Sequence, residues 1–210
     1  MKISILLPYK ENFSPLYPGA VSLFVYETSN ISVYKKNITV FGNTEIKKKF
    51  PIRYIDIKLN KNILKSQTKS YVQKFIKLEK RNNSSIIEIH NRPSYVNILT
   101  TEIKNRVITL YFHNDPLSMD GSKTIEDRKR LLKNCYKIIF NSIWSKKRFL
   151  DGLENKFVNS NKLLVFYQSA SKSNIKILKQ KKKWITFVGK LNKAKGYDIF
   201  AKSITKILNK

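Results

Sequence analysis

The sequence predicts an α/β fold, a parallel sheet flanked by helices, and three observations lead there. Short apolar runs such as residues 3–7 and 136–140 are bounded by polar or turn residues, the mark of strands buried on both faces. Between such runs lie stretches with apolar residues at helical spacing, as Tyr71, Val72, Phe75 and Ile76 show. The two patterns alternate along the chain, and right-handed crossover connections turn such alternation into a parallel sheet.

Residues 3–7 form the first strand and Pro8 ends it. A loop with Pro15, Pro18 and Gly19 leads into a helix over 20–34. Strands follow at 37–41, closed by Gly42 and Asn43, and at 52–57, where apolar and polar residues alternate. Residues 66–81 read as an amphipathic helix whose apolar stripe also carries Glu79. Next come a strand over 86–90, a helix opened by Pro93, and a strand over 106–112 that ends at His113-Asn114-Asp115-Pro116. Thr124 and Asp127 stand at capping-box spacing for a helix over 124–133. A strand over 136–140, a helix over 142–150 stopped by Gly152, and a strand over 163–167 complete a first domain, 1–169. Residues 170–183, with Lys179, Lys181, Lys182 and Lys183, read as a linker. Residues 184–210 read as the first strand, loop and helix of a second domain. The strand covers 184–188, and Phe200, Ile204, Ile207 and Leu208 share one helix face. One such unit has no sheet to join, so about one further domain is expected beyond Lys210.

The 42 Lys and Arg against 14 Asp and Glu give a net charge of +28, spread along the chain rather than gathered in a tail. Such a charge attracts polyanions and anionic lipid surfaces. The lysine-rich helix flanked by Lys65 and Arg81 offers a peripheral contact with an anionic membrane. No signature of an RNA- or DNA-reading module is present, so no specific nucleic acid is expected. A basic nucleic-acid- or membrane-binding module without catalysis is the rival from another class. The single cysteine, Cys135, excludes an internal disulfide, points to a reducing compartment, and reads as a buried structural thiol. The apolar runs are too short to span a membrane, and the N-terminal run is too short for a signal peptide. A cytoplasmic location, peripheral on the inner face of the membrane, is the expectation.

Candidate chemistry lies in two places. In Phe187-Val188-Gly189-Lys190-Leu191-Asn192-Lys193-Ala194-Lys195-Gly196, an apolar run delivers a glycine and a lysine, then a second lysine and a glycine at a helix start. Glycine lets the backbone approach a ligand, and a helix N-terminus with two lysines suits a diphosphate. An ordinary strand-to-helix turn in a lysine-rich chain gives the same pattern. The only two histidines, His90 and His113, fall at predicted strand C-terminal ends, where open α/β sheets bind ligands. They and one distant cysteine lack zinc-ligand spacing, so no metal site is expected. Asp115, Asp120, Glu126 and Asp127 read as turn and helix-start residues rather than as a catalytic acid pair.

The 187–198 stretch resembles the donor-phosphate loop of retaining glycosyltransferases of the two-domain GT-B type, family four. The likeness extends to Pro18-Gly19-Ala20, to Glu88-Ile89-His90-Asn91, to Tyr111-Phe112-His113-Asn114 and to Ile138-Ile139-Phe140-Asn141-Ser142. It implies the Rossmann-like N-terminal half of a GT-B fold followed by the start of the donor-binding domain. It implies hexosyl transfer from a nucleotide diphosphate sugar to a glycan or lipid-linked acceptor of the cell envelope, with retention and without a metal. By the same resemblance Gly189, Lys190, Lys195 and Gly196 hold the donor diphosphate. His113 is the catalytic-site residue near the transferred sugar, and Gly19, His90 and Asn91 line the acceptor cleft. A sugar-nucleotide epimerase of the same fold is the nearer alternative.

Overall fold

The computed structural model describes residues 1–59, 66–158, 160–169, 184–189, 191 and 193–208. Lys65, Lys190 and the 170–183 stretch therefore lie outside the described residues. The chain divides into two compact units, Met1–Ser171 and Lys172–Lys210.

The first unit is built on a seven-stranded sheet in which every pairing is parallel. In chain order its elements are β1 (Ile3–Leu6), α1 (Ala20–Ile31), β2 (Ile38–Gly42), β3 (Tyr54–Asp56), α2 (Gln67–Asn82), β4 (Ile86–His90) and α3 (Pro93–Glu102). They continue with β5 (Val107–Phe112), α4 (Ile125–Asn134), β6 (Lys137–Phe140), α5 (Ile143–Leu150) and β7 (Leu163–Val165). The strands lie in the order β3-β2-β1-β4-β5-β6-β7. Chain progress runs one way from β1 and the other way from β4, so the topological switch point falls between those two strands. An α/β sheet opens a ligand crevice at that point, beyond the strand C-termini.

Strand alternation divides the core in two. Leu6, Phe41, Ile87, Ile89, Leu110 and Phe140 pack against Tyr71 and Phe75 of α2, Tyr95 of α3, Leu131 of α4 and Phe149 of α5. On the other face Ile3, Ile5, Leu7 and Val40 meet Val21 and Val25 of α1 together with Phe13 and Phe50. The helix starts follow local chemistry. Thr124 and Asp127 form the capping box, Ser142 accepts from the Ser145 amide, and Pro93 opens α3. Glu79, on the apolar stripe of α2, is fully buried and accepts from the Ser84 amide at 2.8 Å, from the Ser84 hydroxyl and from the Ser4 hydroxyl. Cys135, at the end of α4, is buried, and desolvation pushes its thiol up to about 12, so it is an inert packing group.

The first helix ends at Ile31, three residues short of the predicted Tyr34, and a 3-10 turn, Lys35–Asn37, leads into β2. The second unit holds a 3-10 turn, Lys193–Lys195, and α6 (Tyr197–Leu208). Residues 184–188, read from sequence as a strand, are not one. A strand exists through ladder hydrogen bonds to a neighbour, and no described residue supplies them here. Phe187 instead rests on Tyr197 and Phe200 of α6, with ring centroids 5.5 and 5.3 Å away.

Candidate functional site

A cleft of about 290 Å3 opens at the switch point, lined by Pro8, Glu11, Ala20, Val21, Asn91, Arg92, His113, Asn114 and Gln168. Each wall comes from a chain segment leaving a strand C-terminus or entering a helix. Pro8 and Glu11 follow β1, Ala20 and Val21 open α1, Asn91 and Arg92 follow β4, and His113 and Asn114 follow β5. The backbone of His113 is pinned from both sides. Its amide donates to Asn91 Oδ1 at 2.8 Å, and its carbonyl accepts from Asn141 Nδ2 at 2.8 Å. Asn91 reaches that place because its backbone is left-handed, φ 52°, a conformation asparagine tolerates better than most residues.

Alternation and register place the two histidines together. His90 pairs with Tyr111 across β4 and β5, so His113, two residues on, lies on the same face of the sheet. His90 Nδ1 stands 2.9 Å from His113 Nε2, and Gln168 Nε2 stands 2.7 Å from His113 Nδ1. At the far end Glu88 Oε2 is 3.7 Å from His90 Nε2. The Tyr111 ring stacks on His90 at 4.6 Å, and Phe24 of α1 meets His113 edge-on at 5.0 Å. Desolvation by burial, helped by the neighbouring His90, pushes the His113 imidazole down to about 3. It is therefore neutral at physiological pH.

That depression makes a stability prediction. The unfolded chain takes up a proton at this residue near the ordinary histidine value, whereas the folded chain resists it until about pH 3. Between those values the unfolded state binds more protons, so stability falls as pH falls. After discounting for the ring's partial exposure, the loss is on the order of 2–4 kcal/mol between about pH 6.5 and 3. Urea unfolding across that range should show His113→Asn losing less stability on acidification than the wild type. Equal losses would remove His113 as the cause.

Gly19 caps α1 and has an ordinary extended backbone, φ −73°. What requires glycine there is space. A side-chain carbon would meet Glu11 Oε1 at 1.9 Å. That carboxylate oxygen accepts from the Ser22 amide at 3.0 Å, at the positive end of α1. Gly19→Ala should displace it and cost about 1–2 kcal/mol. In a Glu11→Ala background the same change should cost close to nothing, because the clash and the lost bond are one event. Additive losses in a double-mutant cycle would show that the two residues act separately.

In the second unit Gly189 precedes the turn, and Gly196 takes a left-handed backbone, φ 71°, before α6. The Gly196 amide donates to the Lys193 carbonyl at 2.9 Å. A side-chain carbon on Gly189 would lie 3.9 Å from Lys195 Cβ, so these two residues are neighbours. Lys190 lies outside the described residues. Sequence reading missed Glu11, Glu88, Arg92 and Gln168. Glu88 alone left a signal, since it stands two residues before His90 and so shares its face. Among the described residues no three His, Cys, Asp or Glu gather as a metal site, and no helix is long and apolar enough to cross a membrane.

No protein-family model matches the chain, and a sequence comparison with curated proteins finds no match. Solved structures do match in fold. HepE of Anabaena, in complex with UDP-glucose, superposes at a TM-score of 0.54 with 14% identity, over 80% of this chain and 44% of that one. The lipopolysaccharide outer core galactosyltransferase WaaB, in its apo form, gives a TM-score of 0.56 with 15% identity, over 83% of this chain and 48% of that one. A sucrose-phosphate synthase structure from Thermosynechococcus elongatus gives 0.51 with 11% identity, over 80% of this chain and 90% of that one. The chain spans about half the length of the first two. The likeness is one of fold, the Rossmann-like parallel sheet of the N-terminal half of GT-B proteins.

Proposed function

We propose that this chain is the acceptor-side half, with the start of the donor-binding half, of a nucleotide-sugar glycosyltransferase. The observation that carries the reading is the cleft at the switch point. In a sheet of this fold it gathers Asn91, Arg92, His113 and Gln168 beyond the strand C-termini. Two of the matched structures, HepE and WaaB, are respectively a complex with UDP-glucose and a galactosyltransferase, which supports a nucleotide-sugar donor.

In this reading a hexosyl group moves from a nucleotide diphosphate sugar to an acceptor hydroxyl, with retention of configuration, as in family-four enzymes. His113 meets the sugar, with His90 and Asn91 behind it and Gly19 at the neighbouring helix start. Gly189, Lys190, Lys195 and Gly196 receive the donor diphosphate. Negative charge grows on the leaving diphosphate as the bond breaks. Lysines and a helix N-terminus placed there stabilise the transition state more than the ground state, so the reaction needs no metal. Residues 1–169, 170–183 and 184–210 are then the first domain, the linker and the opening of the second.

The acceptor in this proposal is a glycan or lipid-linked sugar of the cell envelope. The apolar stripe of α2 is buried, while Lys69, Lys77, Lys80 and Arg81 are exposed. Contact with an anionic leaflet would therefore be electrostatic, without insertion, and sensitive to salt.

The test is hexosyl transfer from UDP-glucose in a protein joining this chain to a complete donor half of the same fold. UDP release that depends on a sugar acceptor and drops in His113→Ala supports the reading. Release no higher than in that variant ends it.

A further inference from the structure

We propose that Glu88 and His90 are positioning residues that hold His113 in its Nε2–H tautomer, leaving Nδ1 turned toward Gln168 as a hydrogen-bond acceptor for a sugar hydroxyl. The hydroxyl half rests on the glycosyltransferase reading. The tautomer half stands on geometry alone.

The side chains form one line. Glu88 Oε2 is 3.7 Å from His90 Nε2, His90 Nδ1 is 2.9 Å from His113 Nε2, and His113 Nδ1 is 2.7 Å from Gln168 Nε2. With both rings neutral each carries one proton, and the line then has two self-consistent arrangements. In the first, both rings carry Nε2–H. Gln168 donates its amide hydrogen to His113 Nδ1, His113 donates to His90 Nδ1, and His90 points an N–H at Glu88.

In the second arrangement both rings carry Nδ1–H, and His113 donates to a flipped Gln168 carbonyl. The bare His90 Nε2 then faces the Glu88 carboxylate with no proton between two sets of lone pairs. His90 is only 1% exposed, and among the described residues that nitrogen has no hydrogen-bond partner, so on the His90 side nothing shields it from the Glu88 carboxylate, which is itself 23% exposed. Low local dielectric magnifies the penalty, and the first arrangement wins. Alternation makes the line available, because Glu88, His90 and His113 occupy one face of two neighbouring strands. Tyr111 stacked on His90 and Phe24 against His113 hold the ring planes.

The consequence is a polarity. Nδ1 of a neutral His113 offers a lone pair, which attracts a hydroxyl hydrogen and repels phosphate oxygens. Gln168, an exposed side chain, holds the place that such a hydroxyl would take. A sugar hydroxyl therefore belongs at His113, and the diphosphate belongs elsewhere.

The chain has only two histidines, so long-range proton–nitrogen NMR of the labelled full chain at neutral pH reads both tautomers, with single-histidine variants for assignment. Both should be Nε2–H in the wild type. Glu88→Ala should bring the Nδ1–H form into His113, and so should Glu88→Gln, whose amide can donate to a bare His90 Nε2 as readily as accept from it, whereas Glu88→Asp, which stays acceptor-only, should keep more of the wild-type pattern. A wild-type His113 in the Nδ1–H form, or tautomers unmoved by Glu88→Ala, overturns the positioning role. In Gln168→Ala, glucose should shift the His113 Nδ1 resonance and inorganic phosphate should not. An Nδ1 unmoved by glucose, or moved by phosphate, overturns the hydroxyl role. Because the tautomers need no donor sugar, absence of UDP-glucose turnover would fell the glycosyltransferase reading and leave this part standing.

Discussion

Glu79→Ala is expected to cost the first unit about 3–5 kcal/mol of stability, the scale for breaking a buried charged group from its partners. Glu79 is fully buried, and its two oxygens collect the Ser84 amide, the Ser84 hydroxyl and the Ser4 hydroxyl, with Arg106 Nε 3.9 Å away. Ser4 also accepts from Asn82 Nδ2 at 2.9 Å, so the network joins the last turn of α2, the middle of β1 and the loop before β4. Removing the carboxylate leaves these donors buried and the Arg106 charge without its counter-ion. Glu79→Leu should be no better, because volume is restored and hydrogen bonding is not. Glu79→Gln keeps one acceptor oxygen and should lose less than either. Urea unfolding followed by circular dichroism ranks the three. A leucine variant as stable as the wild type would show that the network contributes specificity and no net stability.

This network also shows what the sequence could and could not carry. The helical stripe placed Glu79 among Tyr71, Val72, Phe75 and Ile76, so its position was legible from spacing alone. Its partners were not, because Ser4 is 75 residues away and meets it only through the sheet order. The same holds for the cleft. His90 and His113 were legible as strand ends, but their contact depends on the β4 to β5 register, which no local pattern specifies. Glu88 shares the face of His90 by simple alternation, yet alternation does not say that the face is sparsely covered. Glu11 and Gln168 reach the site from loop and post-strand segments, where sequence offers no period to place a side chain. Residues 184–188 fail in the opposite direction. An apolar run states a preference for burial, and a strand also needs a neighbour to bond with.

Lys195→Ala is expected to remove about 2–4 kcal/mol of transition-state stabilisation in a protein that joins this chain to a complete donor half, a loss of roughly 30- to 1000-fold in turnover. The reason is when the charge appears. The donor diphosphate is already charged in the ground state, but extra negative charge develops on it as the anomeric bond breaks. A cation beside the leaving group therefore gains more in the transition state than in the bound donor. The loss should fall mainly on kcat, with KM for the donor changing less. The loop suits that role. Lys195 ends the 3-10 turn, Gly196 follows with its left-handed backbone, and α6 begins at Tyr197, so a helix N-terminus with its positive dipole end stands directly after the turn. Lys195→Arg keeps the charge and should recover most of the rate, whereas Lys195→Gln keeps length and polarity and should not. Gly196→Ala makes a second control. Among the described residues beyond its two chain neighbours, no atom lies within 4 Å of the added carbon, so its cost comes from the backbone angle and should appear as loop strain rather than as a clash. If the alanine and glutamine variants turn over at the wild-type rate, the diphosphate does not leave beside Lys195, and the assignment of the 187–198 loop as the donor-phosphate site fails with it.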